Sequence, residues 1–444
     1  MFFFVFLSWQ RYPKLMKKLS LFFSLFCLLK AGPGQVAPEK YFIGFTDKNN
    51  SPYSIDHPEA FLSDRALERR IEQGIDIEEN DLPVNPEYAE AVDHTGVTVL
   101  NRIRWFNGLI IHTSDPSLID TIRNFPFVKS ILKNTPPECG YREFPPDKFL
   151  LENNPLTSAE NQWFDGVGES PREYYGPSYI QVHQVHTDIL HEKGFRGEGI
   201  MIAVLDGGFY QADVLPVFDS LRTEGRIQGT RDFVEPGNNV FTEHVHGTSV
   251  LSVMGAAVPG QLVGTAPEAM YWLLRSEDTD SEYLIEEYNW VCAAEFADSL
   301  GADIINSSLG YTTFNDPSQD HRCEDMSGNT TPVTQGANIA FTKGILVVSS
   351  AGNHGGTPWK CMSAPADGTD VMGIGAVDST GNYAGFSSTG EATGSRVKPN
   401  VAAMGAKTMV AGGGGTYYRS NGTSFAAPVL SGSAACLMQA MPSA

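Results

Sequence analysis

The sequence predicts an α/β protein, a parallel sheet with helices on both faces, preceded by a smaller α+β body. Three observations predict it. From residue 176 onward, short apolar runs at 200–205, 271–274, 303–307, 345–350 and 371–377 alternate with helical stretches at 246–257, 281–300, 334–343 and 424–441. Short apolar strands separated by helices are the mark of a parallel sheet buried on both faces. Residues 35–135 carry a different, compact pattern. Between the two, residues 136–175 lose all periodicity and gather Pro, Asn, Glu and Gly, as a linker does.

In the first body, Tyr41-Phe-Ile-Gly-Phe45 reads as a strand. Residues 58–73 form a charged amphipathic helix carrying Phe61, Leu62, Ala66, Leu67 and Ile71, and Gly74 is placed to end it. Residues 97–103 and 109–113 alternate as a strand pair about Trp105-Phe-Asn-Gly108. Residues 116–125 read as a helix and 128–132 as a last strand. The order β-α-β-β-α-β is the split, ferredoxin-like arrangement.

Composition bounds the function. Of 444 residues, 41% are apolar, with 26 Phe and 16 Tyr, which supplies a sizeable core and excludes a largely disordered chain. Acidic residues outnumber basic ones, 52 against 31, for a net charge of −21. Such a surface repels phosphate backbones and argues against nucleic acid and against polybasic membrane binding. Residues 1–34 read as a signal peptide, with Met16 as an alternative start. Lys17 and Lys18 precede an apolar run at 19–29, followed by Gly32, Pro33 and Gly34. That run of 11 residues is too short for a bilayer, which needs about 20, so no transmembrane anchor is expected and the product is secreted or held in the cell envelope. Of the six cysteines, Cys27 leaves with the signal. No Cys-x-x-Cys motif exists; Cys323 and Cys361, in loop-like sequence, are the expected disulfide, and Cys292 and Cys436 sit in apolar helical runs.

In parallel sheets, sites gather at the carboxyl ends of strands. Asp206 follows Met201-Ile-Ala-Val-Leu205, with Gly207 and Gly208 letting the chain turn. His246 opens His-Gly-Thr-Ser-Val-Leu at a helix start. Ser424 lies in Asn421-Gly-Thr-Ser-Phe-Ala-Ala-Pro428 at another. Asn353 lies in Ala351-Gly-Asn-His-Gly-Gly356, just past the strand at 345–350. Alone, these read as a turn aspartate, a surface or core histidine, a helix N-terminus and a turn asparagine. Together they supply what a serine nucleophile needs: a base, a carboxylate that orients the base, and donors for a developing oxyanion.

These segments, in the order Asp-His-Ser, resemble the subtilisin family (S8) of serine peptidases, from about Tyr175 to the C-terminus. The resemblance implies a subtilisin-like catalytic domain at 176–444 and endopeptidase chemistry without a required cofactor. It makes Asp206 the orienting acid, His246 the base, Ser424 the nucleophile and Asn353 an oxyanion donor. By shape and position, residues 35–135 resemble the family's I9-like propeptide, which assists folding and blocks the cleft as an intramolecular inhibitor. Protein or peptide substrates are the expected partners. Gly207 departs from the commoner Ser or Thr, and Ser249 from a frequent second His; His244 competes as a base but lacks the Gly-Thr context. The family continues past the serine helix, so the end at Ala444 raises the expectation of an incomplete C-terminus.

The same resemblance makes Ser308, Leu309 and Gly310 one wall of the primary substrate pocket and Ala351 and Gly352 the other, with Ser363 and Ala364 near its base. None is acidic, so an uncharged side chain is expected there. Glu277, Asp278 and Asp280 flank an expected peptide edge and hint at tolerance of basic residues upstream, or form a solvated loop. The oxygen-rich insertion 315–331 (Asp316, Asp320, Glu324, Asp325, Asn329) suits calcium, though without EF-hand spacing. Two other classes stay in view. One is a catalytically inactive relative that binds peptides. The other is a nucleotide-binding domain, suggested by the glycines of 411–415 but lacking Gly-x-Gly-x-x-Gly and a Walker lysine.

Overall fold

The computed structural model describes residues 35–132, 142, 148–149, 152, 170–390 and 396–442. The expected signal peptide 1–34, Cys139 and most of the expected linker lie outside the described residues.

The first body is an antiparallel sheet of β1 (Gln35–Ala37), β2 (Lys40–Phe45), β3 (Thr98–Ile103), β4 (Gly108–His112) and β5 (Val128–Ile131). Its order is β1-β2-β4-β3, with β5 on the far end of β2. Strand alternation divides the apolar residues between two faces. Tyr41, Ile43, Leu109 and Ile111 pack with Val92, Ile119 and Ile122 in the body's own core. Phe42, Ile103 and Ile110 turn the other way, into the core of the second body.

The helix expected at 58–73 is divided. Pro58–Ala60 is a single 3₁₀ turn, and α1 (Asp64–Gln73) starts afresh because Ser63 Oγ accepts the Ala66 N–H. A helix not anticipated, α2 (Pro86–Asp93), follows Asn85, whose side chain accepts the Glu87 N–H. Only Ala89 and Val92 of it are buried, too few to raise a periodic signal. Helix α3 (Pro116–Arg123) completes the body.

The second body is a seven-stranded sheet, all of whose pairings are parallel. Its strands are β6 (Met201–Asp206), β7 (Ile227–Asp232), β8 (Met270–Arg275), β9 (Ile304–Ser307), β10 (Leu346–Ser350), β11 (Met372–Val377) and β12 (Val401–Met404), in the order β12-β11-β10-β9-β6-β8-β7. The five inner strands are those the sequence predicts. The two edges, β7 and β12, escape it because half their residues face water and no apolar run forms. Helices α4 (His246–Gly255) and α7 (Thr423–Ala440) cover one face; α5 (Ile285–Leu300) and α6 (Pro332–Thr342) cover the other. A hairpin of β13 (Thr408–Ala411) and β14 (Tyr417–Ser420) lies beside α4. Cys323 is bonded to Cys361, and Cys292 and Cys436 are buried and free.

The two bodies meet over α5. Buried Asp298 receives Arg69 at 2.5 Å, Arg70 at 2.9 Å and Arg104. Glu295 accepts the main-chain N–H groups of Arg104 and Trp105, at 2.8 Å each, in the β3–β4 turn. Phe42 stacks on Tyr288 at 4.8 Å. An ion pair buried this deeply persists only with its remaining lone pairs satisfied, which these convergent donors achieve.

Candidate active site

Three neighbouring strands, β6, β9 and β10, end side by side and deliver Asp206, Ser308 and Asn353 to one edge of the sheet. Two helix starts face that edge, α4 with His246 and α7 with Ser424.

Asp206 is fully buried. Its Oδ1 accepts the Gly207 N–H and lies 2.8 Å from His246 Nδ1. Gly247 permits that approach, since a Cβ there would lie 2.3 Å from the Gly208 carbonyl oxygen and 2.9 Å from Asp206 Cβ. Gly207 has no hydroxyl to offer, and Asp206 Oδ2 stays without a hydrogen-bond partner among the described residues. His244 is set aside from this contact; its Nδ1 accepts the His246 main-chain N–H at 3.2 Å.

Ser424 is the second residue of α7. Pro428 lies beyond the first turn, where a proline removes the bond to the carbonyl four residues earlier, here that of Ser424. Ser308 Oγ fills the gap by donating to the Ser424 carbonyl at 2.8 Å, which ties the serine helix to the end of β9. Asn353 is oriented by Thr423, whose N–H and Oγ1 both donate to its Oδ1, at 2.9 and 3.0 Å. The amide nitrogen is thereby turned toward the serine.

One further residue completes the constellation, and sequence reasoning missed it. Glu152, in the stretch read as a linker, inserts its carboxylate among these groups. Oε1 accepts from Asn353 Nδ2 at 2.5 Å and from Ser424 Oγ at 3.2 Å, while Oε2 lies 2.9 Å from His246 Nε2. Ser424 Oγ also lies 3.1 Å from the Ser308 carbonyl oxygen; among the described residues no hydrogen bond joins it directly to His246. Phe149 stacks on the imidazole at 4.0 Å, with 14° between the planes. Burial disfavours the imidazolium, but the Asp206 and Glu152 carboxylates override it and raise His246 to about 10. The available signal was modest: Phe149-Leu-Leu-Glu152 restores apolar residues inside a polar stretch.

The expected pocket walls are brought together. The Ser363 N–H donates to the Ala351 carbonyl at 3.0 Å. A Cβ on Gly310 would lie 2.8 Å from Ser363 Cβ, and one on Gly352 would lie 2.4 Å from Ser363 Oγ. Ser363 is buried and Leu309 and Ala364 line the same region. Of the acidic residues nominated upstream, Glu277 turns inward and Asp278 does not. Asp278 instead accepts from Ser281 Oγ and the Asp280 N–H within its own turn. In the insertion 315–331, Asp316 caps the turn at Ser318, Asp320 holds Arg142 and the Phe314 N–H, and Asp325 caps Arg322. The described residues gather three carboxylates closely at one place only, Glu277, Glu282 and Glu286.

The chain is similar to known proteins along both of its bodies. A profile described as "Peptidase S8 propeptide domain, Bacteroidota" matches residues 40–143, and one described as "Subtilase family" matches residues 197–444. Subtilisin E of Bacillus subtilis (strain 168) is 28% identical over 265 residues, covering 59% of this chain and 61% of that protein. Subtilisin of Bacillus pumilus is also 28% identical over 265 residues, covering 59% of this chain and 84% of that one. The solved structure of the prenylagaramide maturation protease PagA is 26% identical, with a TM-score of 0.46, covering 58% of this chain and 81% of that chain. The chain thus spans 61% of the length of Subtilisin E. Since the second profile takes in more than half of its residues, the chain belongs to the subtilase family, with the propeptide domain of that family ahead of it.

Proposed function

We propose that the chain is a serine endopeptidase made in a latent form and exported from the cell. In this reading Ser424 attacks the scissile carbonyl carbon. His246 takes the hydroxyl proton and hands it to the leaving amine, and Asp206 holds Nδ1 and stabilises the imidazolium. Water then opens the acyl-enzyme on Ser424 by the same proton route. Asn353 Nδ2 and the Ser424 main-chain N–H, at the positive end of α7, receive the charge of the tetrahedral intermediate.

The observation that carries the reading is the set of donors meeting at Glu152. A hydroxyl, a side-chain amide and an imidazole, from three separate chain segments, converge on one anionic group. The same contacts account for latency, because the carboxylate stands where substrate would. The first body, clamped on α5, acts as the intramolecular inhibitor that delivers it. After processing, a fluorophosphonate probe labels Ser424 and spares Ser424→Ala. A folded, processed chain that resists the probe would leave the inactive peptide binder in its place.

Export is supported by Lys17, Lys18 and the apolar run at 19–29, and by a disulfide that suits an oxidising compartment. Among the described residues no helix is long and apolar enough to cross a membrane. N-terminal sequencing of the released product tests this part. The uncharged lining around Ser363 favours an uncharged side chain at the position before the scissile bond; cleavage only after Arg or Lys would refute it. Calcium in the insertion 315–331 is proposed as a structural ion only, and a thermal midpoint indifferent to calcium and chelator removes it.

A further inference from the structure

The loop after β8 and the first turn of α5 bring Glu277, Glu282 and Glu286 together, with carboxylate oxygens within 4.8 Å of one another. All three are buried, Glu286 completely. Glu277 accepts from Tyr311 Oη at 2.8 Å, and Glu286 accepts the Tyr283 N–H at 3.0 Å. Into this pocket Lys148 projects its ammonium, 2.5 Å from Glu277, 2.8 Å from Glu282 and 2.6 Å from Glu286, and it donates to the Ser281 carbonyl at 3.1 Å.

Wall and occupant come from different parts of the chain. The glutamates belong wholly to the second body, whereas Lys148 belongs to the stretch that engages Ser424 through Glu152. The next residue, Phe149, stacks on His246, so the pocket lies one residue's reach from the imidazole. Burial raises Glu282 to about 7 and drives Glu286 well above the carboxylate range, even with the Lys148 charge opposing both. Once Lys148 departs, three buried carboxyl groups crowd together with no cation among them, the costly half of a broken buried pair.

We infer that this pocket is a substrate subsite for a lysine side chain upstream of the scissile bond, filled by Lys148 in the latent chain. The inference rests on the endopeptidase reading. It names a feature of the substrate separate from the residue that enters the pocket at Ser363. The placement is upstream because Lys148 lies on the N-terminal side of Glu152, whose carboxylate meets Ser424. Three carboxylates set around one point match an ammonium, which donates in three directions; a planar guanidinium fork matches them poorly. Lysine is therefore preferred over arginine.

Two arms test it. In the full chain carrying Ser424→Ala, Lys148→Ala lowers the thermal midpoint and n-butylammonium restores it saturably, whereas n-butanol does not. Adding Glu282→Gln abolishes the rescue. In the processed active enzyme, lysine in place of norleucine at one upstream position raises kcat/KM about tenfold or more, and Glu282→Gln brings that ratio toward one. No rescue by n-butylammonium, stabilisation by calcium instead, or a ratio near one in an active enzyme each overturns the inference. Rescue in a chain that hydrolyses nothing and resists the fluorophosphonate probe removes the endopeptidase reading and leaves a lysine-binding pocket.

Discussion

Glu152 Oε2 stands 2.9 Å from His246 Nε2, so the nitrogen that would serve Ser424 is engaged by a group from outside the catalytic body. The neighbouring Oε1 draws the Ser424 hydroxyl and the Asn353 amide to itself. One side chain thus engages the proposed base, nucleophile and oxyanion donor together. Glu152→Gln removes the charge that all three groups attract. Fluorophosphonate labelling of the unprocessed chain should then speed up about tenfold or more, since charge-assisted hydrogen bonds are roughly twice as strong as neutral ones. An unchanged labelling rate would show that latency resides elsewhere.

The raised histidine sets a direction with pH. Burial opposes the charge on His246, but Asp206 and Glu152 outweigh it, and the group titrates at about 10 in the closed chain against an ordinary 6.5. Its contribution to the closed form is complete below pH 6.5 and is lost as pH climbs toward 10. In a Ser424→Ala background, the drop in thermal midpoint caused by Glu152→Gln should be largest near neutrality and shrink into the alkaline range. Melting the chain with and without that substitution across the range checks the slope, and a gap that widens with pH contradicts it.

Asn353 offers a cleaner test of the chemical step. Truncation removes its Nδ2 donor together with Oδ1, the acceptor for the Thr423 N–H and Oγ1, so a thermal midpoint is read beside the kinetics. In the processed enzyme, Asn353→Ala should lower kcat by about 10²–10³-fold while KM moves little. An equal rise in KM with kcat unchanged would make Asn353 a binding residue instead.

Ser308 reports on the helix that carries Ser424. Its hydroxyl is the donor that replaces the bond Pro428 cannot make to the Ser424 carbonyl. Ser308→Ala leaves that buried carbonyl without its donor and should cost about 1–3 kcal/mol of stability, read by denaturant unfolding of the Ser424→Ala chain. Ser308→Thr, which keeps the hydroxyl, should recover part of the loss.

Much of this arrangement was legible before any coordinates, and the reasons are local. The inner strands are buried on both faces, so each carries an apolar run, whereas Ile227–Asp232 at the edge writes half its residues for water. Asp206, His246, Asn353 and Ser424 stand at strand ends and helix starts marked by glycine, and close approach at Gly247 and Gly352 requires that residue. Glu152 carries no such mark, because its role depends on where a long stretch is carried by the body before it. Of the acidic pocket the sequence nominated Glu277 alone, for a related reason. Glu286 sits in the first turn of α5, where acids are common simply because they suit the helix dipole. Asp278, nominated beside Glu277, instead accepts the Asp280 N–H and Ser281 Oγ within its own turn.

The Glu152 N–H donates to the Phe149 carbonyl at 2.9 Å, closing a tight turn, and the Glu152 carbonyl oxygen accepts from Ser420 Oγ. The stretch therefore meets the serine with a side chain, and the amide carbonyl of Glu152 faces away. In the proposed latent chain, a cut at this point would require the turn between Phe149 and Glu152 to open first.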